Sequence, residues 1–288
     1  MSRLKLEGRR IIVTGAAGGI GRTVCQRLAL DGAKLVLVGR DRERLSQAVS
    51  EIPGQPHEVA ALDVSDQRAW ERTKNRIAPD GVIHGVVAAA AILGPIGPLG
   101  SWTIDDFKRT LEVNLIGTLV TLTTLLDELK SGCGSAVLFS GGGATSPFPR
   151  YDAYATSKAA VVRMAENISS DLETFGVRVN CIAPGFVASD MHLSTINAGP
   201  ERVGVEYFER TQQVLNGNAS DDPSLAANLT SFLLSDDSSG ITGRLISAQW
   251  DPWNEPSFQQ RLRNEPDLAT LRRIDGQFFA PLAHKHRN

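Results

Sequence analysis

The sequence lacks most of the features that mark a secreted, membrane-bound or metal-dependent protein. Its three cysteines, Cys25, Cys133 and Cys181, stand far apart with no CxxC pair. That spacing argues against a disulfide framework or a cysteine metal site and fits small buried hydrophobes in a reducing cytoplasm. Five histidines are scattered, and the two that lie close, His284 and His286, fall in a polar segment, so no metal is expected. No apolar run approaches the roughly 20 residues that span a bilayer. The opening MSRLKLEGRR carries charge without an apolar stretch, so no secretory leader is expected. Neither sign of charge dominates: 30 Lys+Arg against 32 Asp+Glu leave a formal net charge of -2. The electrostatic reason to expect nucleic acid or an anionic membrane is therefore missing.

What remains is a chain of 288 residues, 42% hydrophobic and 22% charged, with material for a sizeable core. Short apolar runs recur at Ile11–Val13, Leu35–Val38, Val59–Leu62, Gly85–Ala88, Val137–Phe139, Val177–Ile182 and Leu245–Ser247. Between them lie helical patterns at Ile20–Leu30, Ile104–Leu129, Tyr151–Phe175 and Leu225–Leu234, the second opened by Thr103 and Asp106 at capping-box spacing. Strand–helix alternation predicts a doubly wound α/β fold, a parallel sheet with helices on both faces. The runs show no polar alternation, as expected of strands buried on both sides. Two stretches break the rhythm. Residues 189–222 lack a strand pattern and hold several Gly and Pro, which reads as a lid or substrate loop. Residues 252–288 are charged but carry Trp253, Phe258, Leu262, Leu268, Leu271, Phe278 and Phe279, which reads as an arm packed on the core or on a neighbouring subunit. The expected division is a domain over 1–251 followed by that arm.

Three groups of residues carry chemistry. Thr14-Gly15-Ala16-Ala17-Gly18-Gly19-Ile20-Gly21 follows the first strand run and opens a helix. Glycines at this turn let the backbone approach a pyrophosphate, and the helix N-terminus offers free N–H groups and partial positive charge. Many dinucleotide sites place an acidic residue at the end of the second strand to accept the ribose 2′-hydroxyl. Here that slot holds Gly39, followed by Arg40 and Asp41. A guanidinium suits a 2′-phosphate, which favours NADP, with NAD the alternative if Arg40 is merely solvated and Asp41 caps the next helix. Asp63, in Leu62-Asp63-Val64, either accepts from the adenine amino group or caps the following helix. Finally, Tyr154 and Lys158 are spaced i, i+4 and share a helix face. An ammonium beside a phenol lowers its pKa, and such a tyrosine can pass a proton to or from a carbonyl oxygen as hydride moves.

In order and spacing, TGAAGGIG at 14–21, LDV at 62–64, Glu112-Val113-Asn114-Leu115, YATSK at 154–158 and Ala183-Pro184-Gly185-Phe186-Val187 resemble the short-chain dehydrogenase/reductase family over about residues 5 to 251. The resemblance implies a Rossmann-type seven-stranded parallel sheet and, commonly, a homotetramer; a dimer is the other oligomer expected. It implies that Tyr154 is the acid/base, that Lys158 tunes it and holds the nicotinamide ribose, and that Asn114 anchors a water relaying protons to Lys158. It places Gly15, Gly19, Ile20, Gly21, Asp63, Val64, Ala89, Pro184, Gly185, Val187 and Ser189 around the cofactor.

The sequence departs from the family at two places. Where the family has Asn-Asn-Ala-Gly, this chain reads Ala88-Ala89-Ala90-Ala91, which implies lost hydrogen bonds and a methyl group near the cofactor. The family's catalytic serine stands thirteen residues before the tyrosine, a position held here by Gly141, with Ser140 one earlier. Either Ser140 takes the role through a one-residue bulge, the reading favoured, or the hydroxyl is missing. The reading favoured is a hydride-transferring oxidoreductase acting on a small carbonyl or alcohol. A dinucleotide-binding protein with lost chemistry and a nucleotide-sugar epimerase or dehydratase are the alternatives. The substrate pocket is expected from Ile92–Leu93, residues 141–151 and the lid, with three bare glycines leaving room for a bulky or polar ring; Arg150 is read as solvent-facing, with an anion contact the alternative.

Overall fold

Every apolar run becomes a strand. A computed structural model describes residues 4–54, 56–218 and 220–273. Through the first half the chain runs β1 (Arg10–Thr14), α1 (Gly19–Leu30), β2 (Lys34–Gly39), α2 (Arg42–Ser50), β3 (Glu58–Ala61), α3 (Gln67–Ile77), β4 (Gly85–Ala88), α4 (Ile104–Leu111), a π-turn (Glu112–Ile116), α5 (Gly117–Thr124), α6 (Leu126–Ser131) and β5 (Ser135–Phe139). There follow α7 (Asp152–Leu172), β6 (Arg178–Ala183), α8 (Asp190–Ala198), α9 (Pro200–Val203), α10 (Val205–Leu215), α11 (Pro223–Leu234), β7 (Leu245–Ser247) and α12 (Pro256–Asn264). The seven strands lie in the order β3-β2-β1-β4-β5-β6-β7, every neighbouring pair parallel. This is the doubly wound Rossmann α/β sheet.

Successive residues of each strand feed opposite cores. Ile11, Val13, Leu35, Leu37, Val87 and Val137 join one cluster with α1 and α11. Ile12, Val36, Val38, Val86, Ala136 and Leu138 join the other with Trp70, Leu122, Val161, Val162 and Ala165. A period of two with both phases apolar requires helices on both faces, so the absence of polar alternation follows from the layering. The order reverses between β1 and β4, and the carboxyl ends of the strands open there into one cleft.

The single helix expected over Ile104–Leu129 is broken. Thr103 and Asp106 do form a reciprocal capping box, but a five-residue π-turn interrupts the helix at Glu112–Ile116 and a second break falls at Leu125. Asn114, at the centre of the π-turn, is fully buried, and its carbonyl accepts from Thr118 Oγ1 at 2.8 Å. Such turns appear where an inserted residue re-aims a side chain. Cys25 and Cys181 are buried, whereas Cys133 is exposed in a left-handed turn at φ 43, against the expectation for all three. Among the described residues no helix is long and apolar enough to cross a membrane.

Among its described residues, the stretch 189–222 holds α8, α9 and α10 and no strand. Beyond it, the described part of the C-terminal segment lies on the core. Trp253 meets Phe232 at 5.8 Å, Leu245 N donates to Ala269 O at 2.7 Å, and Leu262 is wholly buried. Phe278 and Phe279 lie outside the described residues. Leu262→Ala is expected to cost about 2–5 kcal/mol of stability, the usual range for emptying such a site; chemical denaturation measures it, and an unchanged midpoint would mean this segment does not contribute to the core.

Candidate active site

The turn between β1 and α1 is glycine-rich for two different reasons. Gly15 adopts φ +68, and a Cβ there would lie 2.8 Å from Ala90 N; one at Gly21 would overlap the Gly15 carbonyl. The chain's own packing demands these two. A Cβ at Gly19 would sit in ordinary contact with Ala188 and Ser189 at 3.4 Å, so packing does not forbid it, and it would occupy the space in front of the helix. Gly18, the N-cap, gives no side-chain cap, and Gly19, Ile20 and Gly21 line the cleft. Free N–H groups facing a cradle that one methyl would fill fit a dinucleotide pyrophosphate.

At the end of β2, Asp41 is committed: its carboxylate accepts from Glu43 N and Arg44 N at 3.0 and 3.1 Å and caps α2. Gly39 and the exposed Arg40 line the cleft, so no free carboxylate stands at the strand end. Arg44 reaches across to Asp190 at 2.8 Å. Asp63 and Val64 also line the cleft. Asp63 is not a helix cap, since Asp66 holds that place on α3. Its carboxylate accepts from Ser65 N, Ser65 Oγ and Arg109. Against the upward pull of partial burial, these bonds and the Arg109 charge hold its carboxyl below the usual range.

The four alanines do not leave the loop after β4 unanchored. Ala90 N donates to Thr14 Oγ1 at 3.3 Å, and Ile92 N donates to Asn114 Oδ1 at 2.8 Å. Asn114 Nδ2 returns a bond to Ile92 O at 2.9 Å and a second to Ser157 Oγ at 2.9 Å. Ala91 has no left-handed backbone that would call for glycine. Ala89, Ala90 and Ala91 line the cleft beside Gly15.

Tyr154 and Lys158 share one face of α7 and meet the cleft. Lys158 is buried, donates to Phe139 O at 2.8 Å, and lies 5.6 Å from the Tyr154 ring centroid. The expected lowering of the phenol is not met. Burial pushes Tyr154 up to about 12 and pulls Lys158 down to about 8, because neither charge is solvated. The Tyr154 proton is therefore firmly held at neutral pH.

Ser140 lines the cleft. Its Oγ is sealed from solvent and has no hydrogen-bond partner, and no bulge carries it forward: Ser140 N continues the sheet to Ile182 O at 2.9 Å. The position facing the tyrosine is Gly141, where a Cβ would overlap Tyr154 Oη. The three glycines also differ. Gly143 takes φ +85 with Ala155 and Phe148 against it, Gly141 gives its space to the tyrosine, and only Gly142 leaves room, with Phe148 at 3.7 Å.

On the far side, Gly185 adopts φ +93, and a Cβ there would meet Asp221 Oδ2 at 2.5 Å. Phe186 N donates to that carboxylate and Ala188 N donates to Ser220 Oγ, tying together the two ends of the lid. Pro184, Gly185, Val187 and Ser189 line the cleft. The lid packs through Tyr207, Met191 and Val203 on Leu93, Phe148 and Tyr151, and Tyr151 Oη bonds Thr195 Oγ1 at 3.0 Å. Arg150 is no anion contact, since its guanidinium donates to the carbonyls of Glu201 and Arg202 and straps α9 down. Phe148, Tyr207 and Arg210 fall within the expected walls at 141–151 and the lid without having been singled out, and Phe186, inside the 183–187 motif, was not named as a cleft residue.

A glycine turn at β1, a cleft at the reversal of strand order, and a Tyr/Lys pair beside it define a dinucleotide-dependent oxidoreductase. The family model described as "Enoyl-(Acyl carrier protein) reductase" matches residues 15–249. Dehydrogenase/reductase SDR family member 4 of Bos taurus is 30% identical over 249 residues, covering 85% of this chain and 87% of that protein. The Sus scrofa protein of the same name is 29% identical over 250 residues, with the same coverage of 85% and 87%. Among solved structures, levodione reductase superposes with a TM-score of 0.76 at 27% identity, covering 86% of this chain and 98% of that one. NAD+-bound xylitol dehydrogenase gives 0.77 at 27%, covering 84% and 98%. The chain belongs to the short-chain dehydrogenase/reductase family. It is an NAD(P)-dependent enzyme that transfers a hydride and acts on a small molecule.

Proposed function

We propose that the chain is an NADP(H)-dependent carbonyl reductase or alcohol dehydrogenase in which Tyr154 is the acid/base. The observation that carries this reading is the convergence of Tyr154, Lys158 and the glycine turn on one cleft. A bound dinucleotide supplies or accepts the hydride. Gly15, Gly19, Ile20 and Gly21 receive its pyrophosphate, Asp63 and Val64 flank the adenine, and Ala89 borders its path. Pro184, Gly185, Val187 and Ser189 form the wall at the nicotinamide. Lys158 holds the nicotinamide ribose, and Tyr154 gives its proton to the carbonyl oxygen in reduction or takes it back in oxidation. Asn114 fixes the Ile92 loop and anchors the water that returns a proton to Lys158. The intact Tyr154, Lys158 and Asn114 favour this over a non-catalytic binder.

The 2′-phosphate reading rests on Arg40, exposed at a strand end whose one nearby carboxylate, Asp41, is turned into the helix cap. Arg40→Ala is expected to weaken NADPH about 10- to 100-fold and leave NADH unchanged, since a charge-assisted bond is worth roughly 1.5–3 kcal/mol. Fluorescence titration of both reduced cofactors decides it; equal affinities in the parent protein would return the preference to NAD. We further take residues 1–251 as the catalytic unit and 252–288 as its arm. A homo-oligomer, dimer or tetramer, is supported by Ile104 and Ile116, exposed on the α4 side at 65% and 42%. A cytoplasmic location is supported by three free cysteines.

A further inference from the structure

The charged side chains along the cleft are nearly all committed. Asp41 caps α2, Asp63 is paired with Arg109, Asp190 with Arg44, and Lys158 is buried against the Phe139 carbonyl. Two guanidiniums lining the cleft make no hydrogen bond or ion pair among the described residues. One is Arg40, at the end assigned to the 2′-phosphate. The other is Arg210, on α10, at the opposite end.

Arg210 is placed by aromatic rings. Its guanidinium lies 4.8 Å from the Phe186 ring centroid. Phe186 stacks on Tyr207 at 5.6 Å, Tyr207 meets Phe148 edge-on at 5.1 Å, and Phe148 meets Tyr154 edge-on at 6.5 Å. A continuous apolar wall thus runs from the proton donor to a solvent-exposed cation that makes no hydrogen bond or ion pair with the described protein residues. The nearby Asp221 carboxylate is spent on Phe186 N at 2.6 Å. Burial holds His192, 4.7 Å from Phe186, below its usual range and raises the Tyr207 phenol.

We propose that the substrate of this enzyme is a carbonyl compound, or the matching secondary alcohol, that carries a carboxylate, and that Arg210 receives that carboxylate while the apolar body lies along Phe148, Tyr207 and Phe186. The planar guanidinium fork matches a carboxylate in a two-point contact. The proposal rests on Tyr154 being the acid/base, since that fixes which end of the cleft takes the carbonyl.

The test uses methyl ketones bearing a terminal carboxylate, lengthened one methylene at a time, against their methyl esters. In the parent protein the acid of best length is expected to exceed its ester about 10- to 100-fold in kcat/KM, the range for a hydrogen bond to a charged group. Arg210→Gln is expected to remove that advantage through KM and leave the ester unchanged, and Arg210→Lys to restore part of it. The same acids are expected to raise the melting temperature of the NADPH complex of Tyr154→Phe, and not that of Tyr154→Phe/Arg210→Gln. Acids and esters equivalent across the whole series, equal loss of both in Arg210→Gln, or no Arg210-dependent thermal shift with any member would overturn the proposal. Esters reduced as fast as acids would leave the oxidoreductase reading standing and remove the anion site. Acids that shift melting through Arg210 without being reduced would leave the site standing and remove the assignment of Tyr154.

Discussion

Tyr154→Phe is expected to bind NADPH as the parent protein does and to turn substrate over about 10²–10⁴-fold more slowly, the range that positioned acid–base help supplies. The phosphate turn at 14–21 does not touch this hydroxyl, so the loss falls on kcat and not on cofactor affinity. Because burial pushes the phenol up to about 12, the proton-donating form is present across neutral pH. Reduction is therefore expected to stay flat through that range, and oxidation, which needs the phenolate, to climb with pH. Steady-state rates with a cofactor titration of the same preparation measure both; unchanged turnover would remove Tyr154 from the mechanism.

The second large effect comes from restoring what the family has. Gly141→Ser and Gly141→Ala both place a Cβ where Tyr154 Oη now lies. The ring is flanked by Phe148 and cannot retreat without disturbing that contact. Both variants are expected to lose about 10²-fold in kcat, the cost of roughly 1 Å of misplacement at a reacting group, with NADPH affinity unchanged. The serine variant distinguishes two accounts. If it turns over faster than the parent, the added hydroxyl donates to the carbonyl oxygen and the glycine had merely been a loss. If serine and alanine fall together, the bare backbone at 141 is what lets this tyrosine reach its place.

The Ser140 outcome shows why counting residues did not settle the site. Whether a serine one position early reaches the tyrosine depends on whether β5 bulges, and β5 stays in register with β6 as far as Phe139 and Ile182. Gly141, one position on, is the residue whose Cβ would meet Tyr154 Oη. The four alanines misled in the opposite direction. Asparagine side chains were missing from that segment, but Thr14 from β1 and Asn114 from the π-turn supply its hydrogen bonds from a distance. Arg150 and Arg210 exchanged places for a similar reason. The first is adjacent in sequence to the tyrosine segment yet is consumed by lid carbonyls, and the second is remote in sequence yet reaches the cleft because α10 folds back over Phe186.

The sequence alone determined the layered α/β fold, because seven unbroken apolar runs between amphipathic helices have no soluble arrangement except a parallel sheet covered on both faces. It also determined the location of the phosphate turn and the Tyr154/Lys158 pair, since each is a local motif whose geometry follows from neighbours along the chain. Tertiary structure alone decided which glycine faces Tyr154, what anchors the alanine loop, and which cleft arginines make no hydrogen bond or ion pair among the described residues. Those depend on contacts between segments up to about a hundred residues apart, where burial and the competition for hydrogen bonds, and not local pattern, choose the partner.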